Sequence, residues 1–177
     1  MKKIYSGLED QCDKETDFIK LARIVSAKMD DRDWAKSLLE KAEEKSQDIP
    51  GHTTVAWAVN DILSDNAWAK TVYEKAGEMC SNRDDYENLF SAVQEKTGDD
   101  DLLKQIHGTA ETKLTGTRDL IYLAESIIRR FSDPQWAGSV YAKAERAPDA
   151  GTYMFELAGS ITNKLDDTKW ASRLRRM

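Results

Sequence analysis

Apolar and polar residues follow one another along this chain with the spacing of two amphipathic helices that recur as a pair. In the first such pair, the apolar residues of the leading helix fall at steps of three and four: Phe18, Leu21, Ala22, Val25 and Met29. The second helix repeats this spacing with Trp34, Ala35, Leu38, Leu39 and Ala42. Steps of three and four place side chains on one face of an α-helix, so each helix is predicted to bury one stripe.

The helix pair recurs with a period of 34 residues. Four of the five tryptophans lie on this period, and Leu102 fills the missing step: Trp34, Trp68, Trp136 and Trp170. Further apolar columns share it, among them Leu21, Val55, Leu89, Leu123 and Leu157, and Leu38, Val72, Ile106, Val140 and Leu174. Helices of roughly 13 residues are too short to be stable alone in water, so the pairs are expected to stack and bury their stripes against one another.

An aspartate precedes each second helix by the same distance. The members of this column are Asp31, Asp65, Asp99, Asp133 and Asp167. An N-cap aspartate accepts a hydrogen bond from the free amides of the first turn and faces the positive end of the helix dipole. Pro134 directly after Asp133 fits a first helical position, where the missing amide has no partner to lose. These five aspartates are predicted to be structural N-caps.

Composition narrows the class of protein. The 177 residues include only three prolines and nine glycines, which leaves little turn chemistry for a β fold and favours an all-α one. A formal charge of -6 argues against nucleic acid as the partner. The chain has no apolar run of the roughly 18 residues that a membrane span needs, and a cytoplasmic location is the simplest expectation.

The helix pairs resemble the tetratricopeptide repeat, a 34-residue helix-turn-helix unit. The resemblance rests on Ala-x3-Tyr-x2-Ala in the second helix, at Ala69, Tyr73 and Ala76 and again at Ala137, Tyr141 and Ala144, and on Leu-Ala-x2-Val/Ile in the first, at Leu21 and Leu123. Alanine or phenylalanine replaces the family's usual glycine in the first helix, at Ala22, Ala56, Phe90, Ala124 and Ala158. The resemblance implies a right-handed superhelical solenoid of antiparallel helix pairs.

The period divides the chain into one repeat domain over residues 1–177. A partial unit over 1–16 matches a second helix, and four full repeats follow, of which the third is divergent: 17–50, 51–84, 85–118 and 119–152. A partial fifth repeat spans 153–177.

Catalytic chemistry finds little support in the residues. The acidic clusters, such as Asp99 to Asp101, lack the alternating ligands and glycine turn of a calcium loop. His52 and His107 have no zinc or metalloprotease setting, and neither a nucleophile elbow nor a phosphate-binding loop is present. We therefore expect no enzyme activity, no metal and no cofactor.

Two cysteines occupy equivalent positions in the repeat. Cys12 and Cys80 are two periods apart, so stacked helices would hold them well beyond the roughly 7 Å limit for a disulfide. Both are expected to remain thiols.

The tryptophans of the 34-residue column share the phase of the apolar stripe, so Trp34, Trp68, Trp136 and Trp170 are predicted to be structural core. Trp57 lies off this column. It belongs to a face of the first helix whose columns do not repeat their chemistry, and the family resemblance implies that this face lines a concave groove. Columns that repeat their residue type are explained by the stacking of one helix pair on the next. Columns that do not repeat can either contact a ligand or form an ordinary, variable solvent-exposed face.

Ten residues of this face are the candidate partner-binding set. They are Ile19, Arg23, Trp57, Asn60, Glu87, Ile121, Glu125, Ile128, Arg129 and Phe155. Five of them are apolar where water would be expected, which favours contact with a partner.

The leading hypothesis for function is a non-catalytic scaffold or adaptor that binds a peptide or protein segment in the groove. A second hypothesis is a structural protein that assembles head to tail through its uncapped repeat ends. A third is an acidic inhibitor or immunity-type protein that occludes a basic partner, which the net charge suggests.

Overall fold

The protein is all-helical in a computed structural model that describes residues 7–176. Residues 7–9 are helical, and no strand occurs within the described range. The helices that follow are α1 Glu15–Met29, α2 Arg32–Lys45, α3 Ile49–Leu63, α4 Asn66–Met79, α5 Arg83–Lys96, α6 Asp100–Lys113, α7 Thr117–Phe131, α8 Pro134–Ala144, α9 Ala150–Leu165 and α10 Thr168–Leu174.

The chain divides into two compact units. The N-terminal unit runs to Cys80 and includes Glu87–Leu103, and the C-terminal unit comprises Ser81–Tyr86 and the chain from Lys104 onward. Within each unit, α1 packs on α2, α3 on α4, α7 on α8 and α9 on α10. The leading helices also pack on each other, α1 on α3 and α7 on α9. Helical hairpins therefore stack on their neighbours inside each unit.

The core of each unit is built from the periodic apolar columns. Every member of the Leu21 column and of the Leu38 column is at most 4% exposed. The alanines Ala42, Ala76, Ala110 and Ala144 are fully buried. Small side chains at these positions let neighbouring helices approach closely, and deletion of a large apolar neighbour would leave a cavity.

The turn inside each hairpin has two residues with distinct roles. The first lies in the left-handed region, with φ between 52° and 61°, at Asp30, Ser64, Gly98, Ser132 and Asp166. The second is the N-cap aspartate, whose Oδ1 accepts the backbone N–H three residues later, at 2.8–3.1 Å, in Asp31, Asp65, Asp99, Asp133 and Asp167. The left-handed residue ends one helix and the aspartate begins the next, so two residues are enough to reverse the chain.

A glutamate from the preceding hairpin holds each periodic tryptophan. The indole N–H donates to a glutamate 25 residues earlier, at 2.7–2.9 Å, in the pairs Glu9–Trp34, Glu43–Trp68, Glu111–Trp136 and Glu145–Trp170. A cation completes each group, namely Lys41, Lys75, Lys143 and Arg173 in the same order. We call each group a Glu–Trp clamp. It links the second helices of consecutive hairpins.

The tryptophans therefore lie at the edge of the core and not inside it. All four are half-buried, whereas the sequence assigns them to the structural core. The indole N–H explains the difference, because a buried indole must find an acceptor and the acceptor here is a partly exposed carboxylate.

The clamp changes the acidity of its carboxylates. Hydrogen bonding from Lys41, followed by that from Trp34, outweighs burial and lowers the pKa of Glu9. Burial alone would raise the pKa of Glu111, but hydrogen bonds from Lys143 and Trp136 together outweigh it and lower that pKa as well. Both side chains are therefore held as carboxylates at neutral pH.

The described residues contain no disulfide. The thiols of Cys12 and Cys80 each donate to the carbonyl oxygen four residues earlier, at 3.4 Å.

Candidate functional site

The C-terminal unit carries a cleft of about 410 Å³ on the face formed by α7 and α9. Its lining residues are Arg83, Arg118, Ile121, Tyr122, Glu125, Phe155, Glu156, Gly159, Ser160 and Asn163. Ile121, Glu125 and Phe155 belong to the set that the sequence predicts, and the structure brings these three together.

Phe155 is the most exposed large apolar side chain among the described residues. It is 77% exposed, compared with 41% for Leu8 and 39% for Met79. Phe155 projects from the first half of α9 at the edge of the cleft. A phenyl ring held in water beside a concave surface is the arrangement that a partner could bury with a gain in free energy.

Arginine side chains lie over tyrosine rings around this cleft. The guanidinium carbon of Arg83 is 5.4 Å from the ring centre of Tyr122, and that of Arg129 is 5.9 Å from the same ring. Arg118 lies 5.6 Å from the ring centre of Tyr153. These contacts hold the guanidinium groups in place by cation–π attraction.

A chain of hydrogen bonds orients Glu125 in the cleft. The hydroxyl of Ser160 donates to Oε1 of Glu125 at 2.6 Å. Since its single proton is used there, Ser160 accepts from the hydroxyl of Tyr141, 2.7 Å away. Burial raises the pKa of Tyr141 to about 12, with Glu125 adding to the rise, so this hydroxyl stays protonated. The fully buried Tyr141 thus fixes the position of a carboxylate at the surface.

One exposed ion pair crosses the cleft. Nε of Arg118 lies 3.3 Å from the carboxylate of Glu156, and both side chains are about half exposed. Pairs of this kind contribute little to stability, so a partner can exchange this contact for its own at small cost.

In the N-terminal unit, the aromatic residue of the predicted set, Trp57, has different surroundings. Trp57 is half-buried, with the guanidinium carbon of Arg23 at 5.2 Å and the ammonium of Lys96 at 5.9 Å from the ring. Arg23 is held in turn by Asp61 at 2.5 Å. The structure thus joins Arg23 and Trp57 of the predicted set, and cations cover the ring.

Two predicted contact residues, Ile19 and Ile121, are buried, so neither offers a large exposed surface to a partner. Ile19 is 6% exposed and Ile121 is 4% exposed. Each lies on a leading helix that packs against both its hairpin partner and the next leading helix, α1 on α3 and α7 on α9. The second contact covers a flank that a single amphipathic helix would leave open. Ile121 therefore forms the floor of the cleft and is no anchor for a partner.

The other predicted residues are scattered. Asn60 lines a separate small cavity in the N-terminal unit. Glu87 and Ile128 are half-buried, and neither lines the cleft. Arg129 is exposed and lies over Tyr122.

Three residues that matter at the cleft were missed from the sequence. Arg83, Arg118 and Tyr122 are not among the ten residues of the candidate set. Arg83 and Arg118 stand in the first turns of α5 and α7, where caps and turns dominate the pattern. One feature of the sequence could have identified the two arginines. Neither Arg83 nor Arg118 has an arginine at the equivalent position of another repeat, and Trp57 and Phe155 are likewise unrepeated.

The described residues offer neither a membrane span nor a metal-binding cluster. None of their helices combines the length and apolar character of a membrane span. No group of three or more histidine, cysteine, aspartate or glutamate side chains is placed to hold a metal ion in this part of the chain.

No protein-family model matches this chain, and no curated protein or solved structure is significantly similar to it.

Proposed function

We propose that this protein is a non-catalytic, tetratricopeptide-like interaction scaffold that binds a peptide or protein segment along the α7–α9 face. In this proposal the hairpins continue as a right-handed solenoid in a cytoplasmic protein. The observation that carries the proposal is Phe155, a large apolar side chain that is 77% exposed at the edge of a cleft of about 410 Å³.

The surroundings of Phe155 support a binding role. Buried aromatic anchors dominate the energy of most protein interfaces, and polar groups at the rim set orientation. Glu125 is oriented by Ser160, and Arg83 by Tyr122, before any partner arrives. Polar groups that are already ordered lose less entropy on binding, which favours affinity.

The test compares two exposed apolar residues. A partner isolated from the native source is identified, purified and titrated calorimetrically against the wild-type protein, Phe155→Ala and Met79→Ala. We expect Phe155→Ala to weaken binding by about tenfold or more, the effect of truncating a hot-spot residue. Met79→Ala is the matched control, since Met79 is exposed but lies on α4 of the other unit, and it should change affinity less than about twofold.

Equal affinity of the two variants would contradict the proposal. The same titrations separate the alternatives. Binding that falls steeply between low and high salt and ignores Phe155 would favour an acidic inhibitor of a basic partner. A mass that grows with protein concentration in light scattering, without any partner, would favour head-to-tail assembly.

A further inference from the structure

The Glu–Trp clamp is interrupted at one step of the repeat. At the third step, all three of its positions are changed in the sequence: Gly77 stands for the glutamate, Leu102 for the tryptophan and Thr109 for the lysine. Elsewhere the clamp contributes a charge-assisted hydrogen bond between consecutive hairpins. Within the N-terminal unit, Leu102 is almost fully buried, and Gly77 has no carboxylate to offer.

A hydrogen bond that two later steps make is missing at the same step. Tyr141 bonds Ser160, and His107 bonds Ser126 at 3.1 Å, each 19 residues further along the chain. The equivalent of this serine for Tyr73 is Ala92. The Tyr73 hydroxyl is buried and has no hydrogen-bond partner among the described residues. A buried hydroxyl without a partner is destabilising, because it loses its hydrogen bond to water on folding and forms no other hydrogen bond.

Packing is incomplete there too. Earlier in the chain, Arg32 at the start of α2 donates to the carbonyl of Leu63 at the end of α3. One period later the corresponding positions are Asn66 and Thr97, with shorter side chains. Both line a cavity of about 140 Å³, together with Tyr73 and Leu102. The clamp and the hydroxyl pair are thus both replaced at the third step, and the Arg32–Leu63 contact of the first hairpins has no arginine there to repeat it.

We propose that residues 87–103 form a built-in point of local opening in the N-terminal unit. This segment lies against α3 and α4, since Lys96 covers Trp57 and Leu102 shares the cavity with Tyr73. It detaches from α3 and α4 before those helices unfold, because the clamp and the hydrogen bond to serine that hold the equivalent segments of the C-terminal unit are replaced there. Local opening of this kind exposes part of a fold without global unfolding. The inference does not depend on the proposed binding function.

Hydrogen exchange of the whole chain, followed by mass spectrometry under native conditions, tests this opening. We expect the slowest amides of residues 87–103 to exchange at least about tenfold faster than those of α3 and α4. Equal protection of the two regions would overturn the proposal.

A restoring substitution sharpens the test. Ala92→Ser supplies the hydroxyl that Tyr73 lacks and should slow exchange of residues 87–103 by roughly three- to tenfold, the effect of one net hydrogen bond. The double variant Tyr73→Phe/Ala92→Ser should lose this gain, because the serine again has no tyrosine hydroxyl to bond. Ala92→Ser without effect on residues 87–103, or a gain that survives in the double variant, would contradict the assignment.

A breaking substitution in the C-terminal unit is the matched control. Ser160→Ala removes the partner of Tyr141 and copies the defect of the third step. It should speed exchange of α9 by roughly three- to tenfold and leave residues 87–103 unchanged. If α9 keeps its protection, the missing hydroxyl is not what weakens the third step, and the proposal fails.

Discussion

The two units present an aromatic residue on the leading-helix face in opposite states. In the N-terminal unit Arg23 and Lys96 cover Trp57, whereas in the C-terminal unit Phe155 is 77% exposed. The C-terminal unit also has arginines on this face, but they lie over Tyr122 and Tyr153. The aromatic residue is thus covered in the N-terminal unit and exposed in the C-terminal unit. The two units differ in whether cationic side chains lie over this residue.

Charge separates the two units as well. The N-terminal unit contains 21 aspartates and glutamates against 13 lysines and arginines, whereas the C-terminal unit contains 11 against 13. The net charge of -6 therefore arises from the N-terminal unit. The acidity of the whole chain is therefore not a property of the cleft, where arginines are prominent.

The largest expected losses of stability concern the clamped tryptophans. Trp136 bonds Glu111 and also stacks on Phe131 at 5.7 Å and meets His107 edge-on. Leu39 and Leu63 occupy the equivalent positions around Trp68. We expect Trp136→Ala to lower the free energy of unfolding by about 3 kcal/mol and Trp68→Ala by about 2 kcal/mol, measured by urea denaturation. Trp136→Phe is the control that keeps an aromatic ring beside Phe131 and loses the indole hydrogen bond.

A loss of unfolding free energy below about 1 kcal/mol for both alanine variants would show that the clamps are surface contacts that contribute little to stability.

The two buried tyrosines give the next contrast. Tyr141→Phe should cost about 1.5 kcal/mol, because Ser160 and Glu125 lose the donor that orders them. Tyr73→Phe should cost nothing or increase stability slightly, since its hydroxyl is buried without a partner among the described residues. Thermal unfolding of the two variants side by side measures the difference. Equal losses would mean that the Tyr73 hydroxyl is satisfied in solution.

The smallest expected effect on stability concerns the aspartates that accept hydrogen bonds at the starts of helices. Asp48 caps its own helix α3 through the N–H of Gly51, whereas Asp149 reaches α7 from 32 residues away and accepts from the hydroxyl and the N–H of Thr117 at 2.6 Å and 2.9 Å. The side-chain hydrogen bond of Thr117, followed by its backbone bond, lowers the pKa of Asp149 below its ordinary value of 3.8. Asp149→Ala should cost about 1 kcal/mol at pH 7.

The sign of the pH effect follows from the lowered pKa. The stabilisation by Asp149 is complete above the pKa of this carboxyl in the unfolded state, and it is lost as the pH falls through the pKa in the folded state. The loss of stability caused by Asp149→Ala should therefore shrink towards zero in strong acid. Unfolding free energies measured from pH 7 downward test this. Asp84→Ala, at a side chain that is 80% exposed, is the control and should stay within about 0.5 kcal/mol throughout. A cost of Asp149→Ala that does not change with pH would contradict the assignment.

Local signals predicted the helices and their starts well, because they depend on neighbours in sequence. The apolar steps around Leu21 and the aspartates before each second helix act within one or two turns of the chain. The left-handed column could also have been found, since Gly98 shares its phase with Asp30 and Ser64. The small or polar side chains in that column are typical of positive φ.

Contacts between hairpins could not be predicted in the same way. The burial of Ile19 and Ile121 depends on how closely one leading helix approaches the next. The Glu111–Trp136 bond joins residues 25 apart, and their phases meet only once the packing of the hairpins is known. The joint replacement of glutamate and tryptophan at Gly77 and Leu102 was a signal in the sequence that the two positions belong together.

The constant separation within the clamps also restricts how the length of this chain can change. An insertion or deletion of one or two residues inside α8, before Trp136, would rotate the indole away from its acceptor, whereas removal of a whole period preserves the spacing of every pair. Excision of residues 77–110 would join Ala76 to Glu111, still 25 residues before Trp136. The shortened chain would then keep the residue spacing of all four clamps, so a change in length by one whole period of 34 residues is the one that leaves this spacing intact.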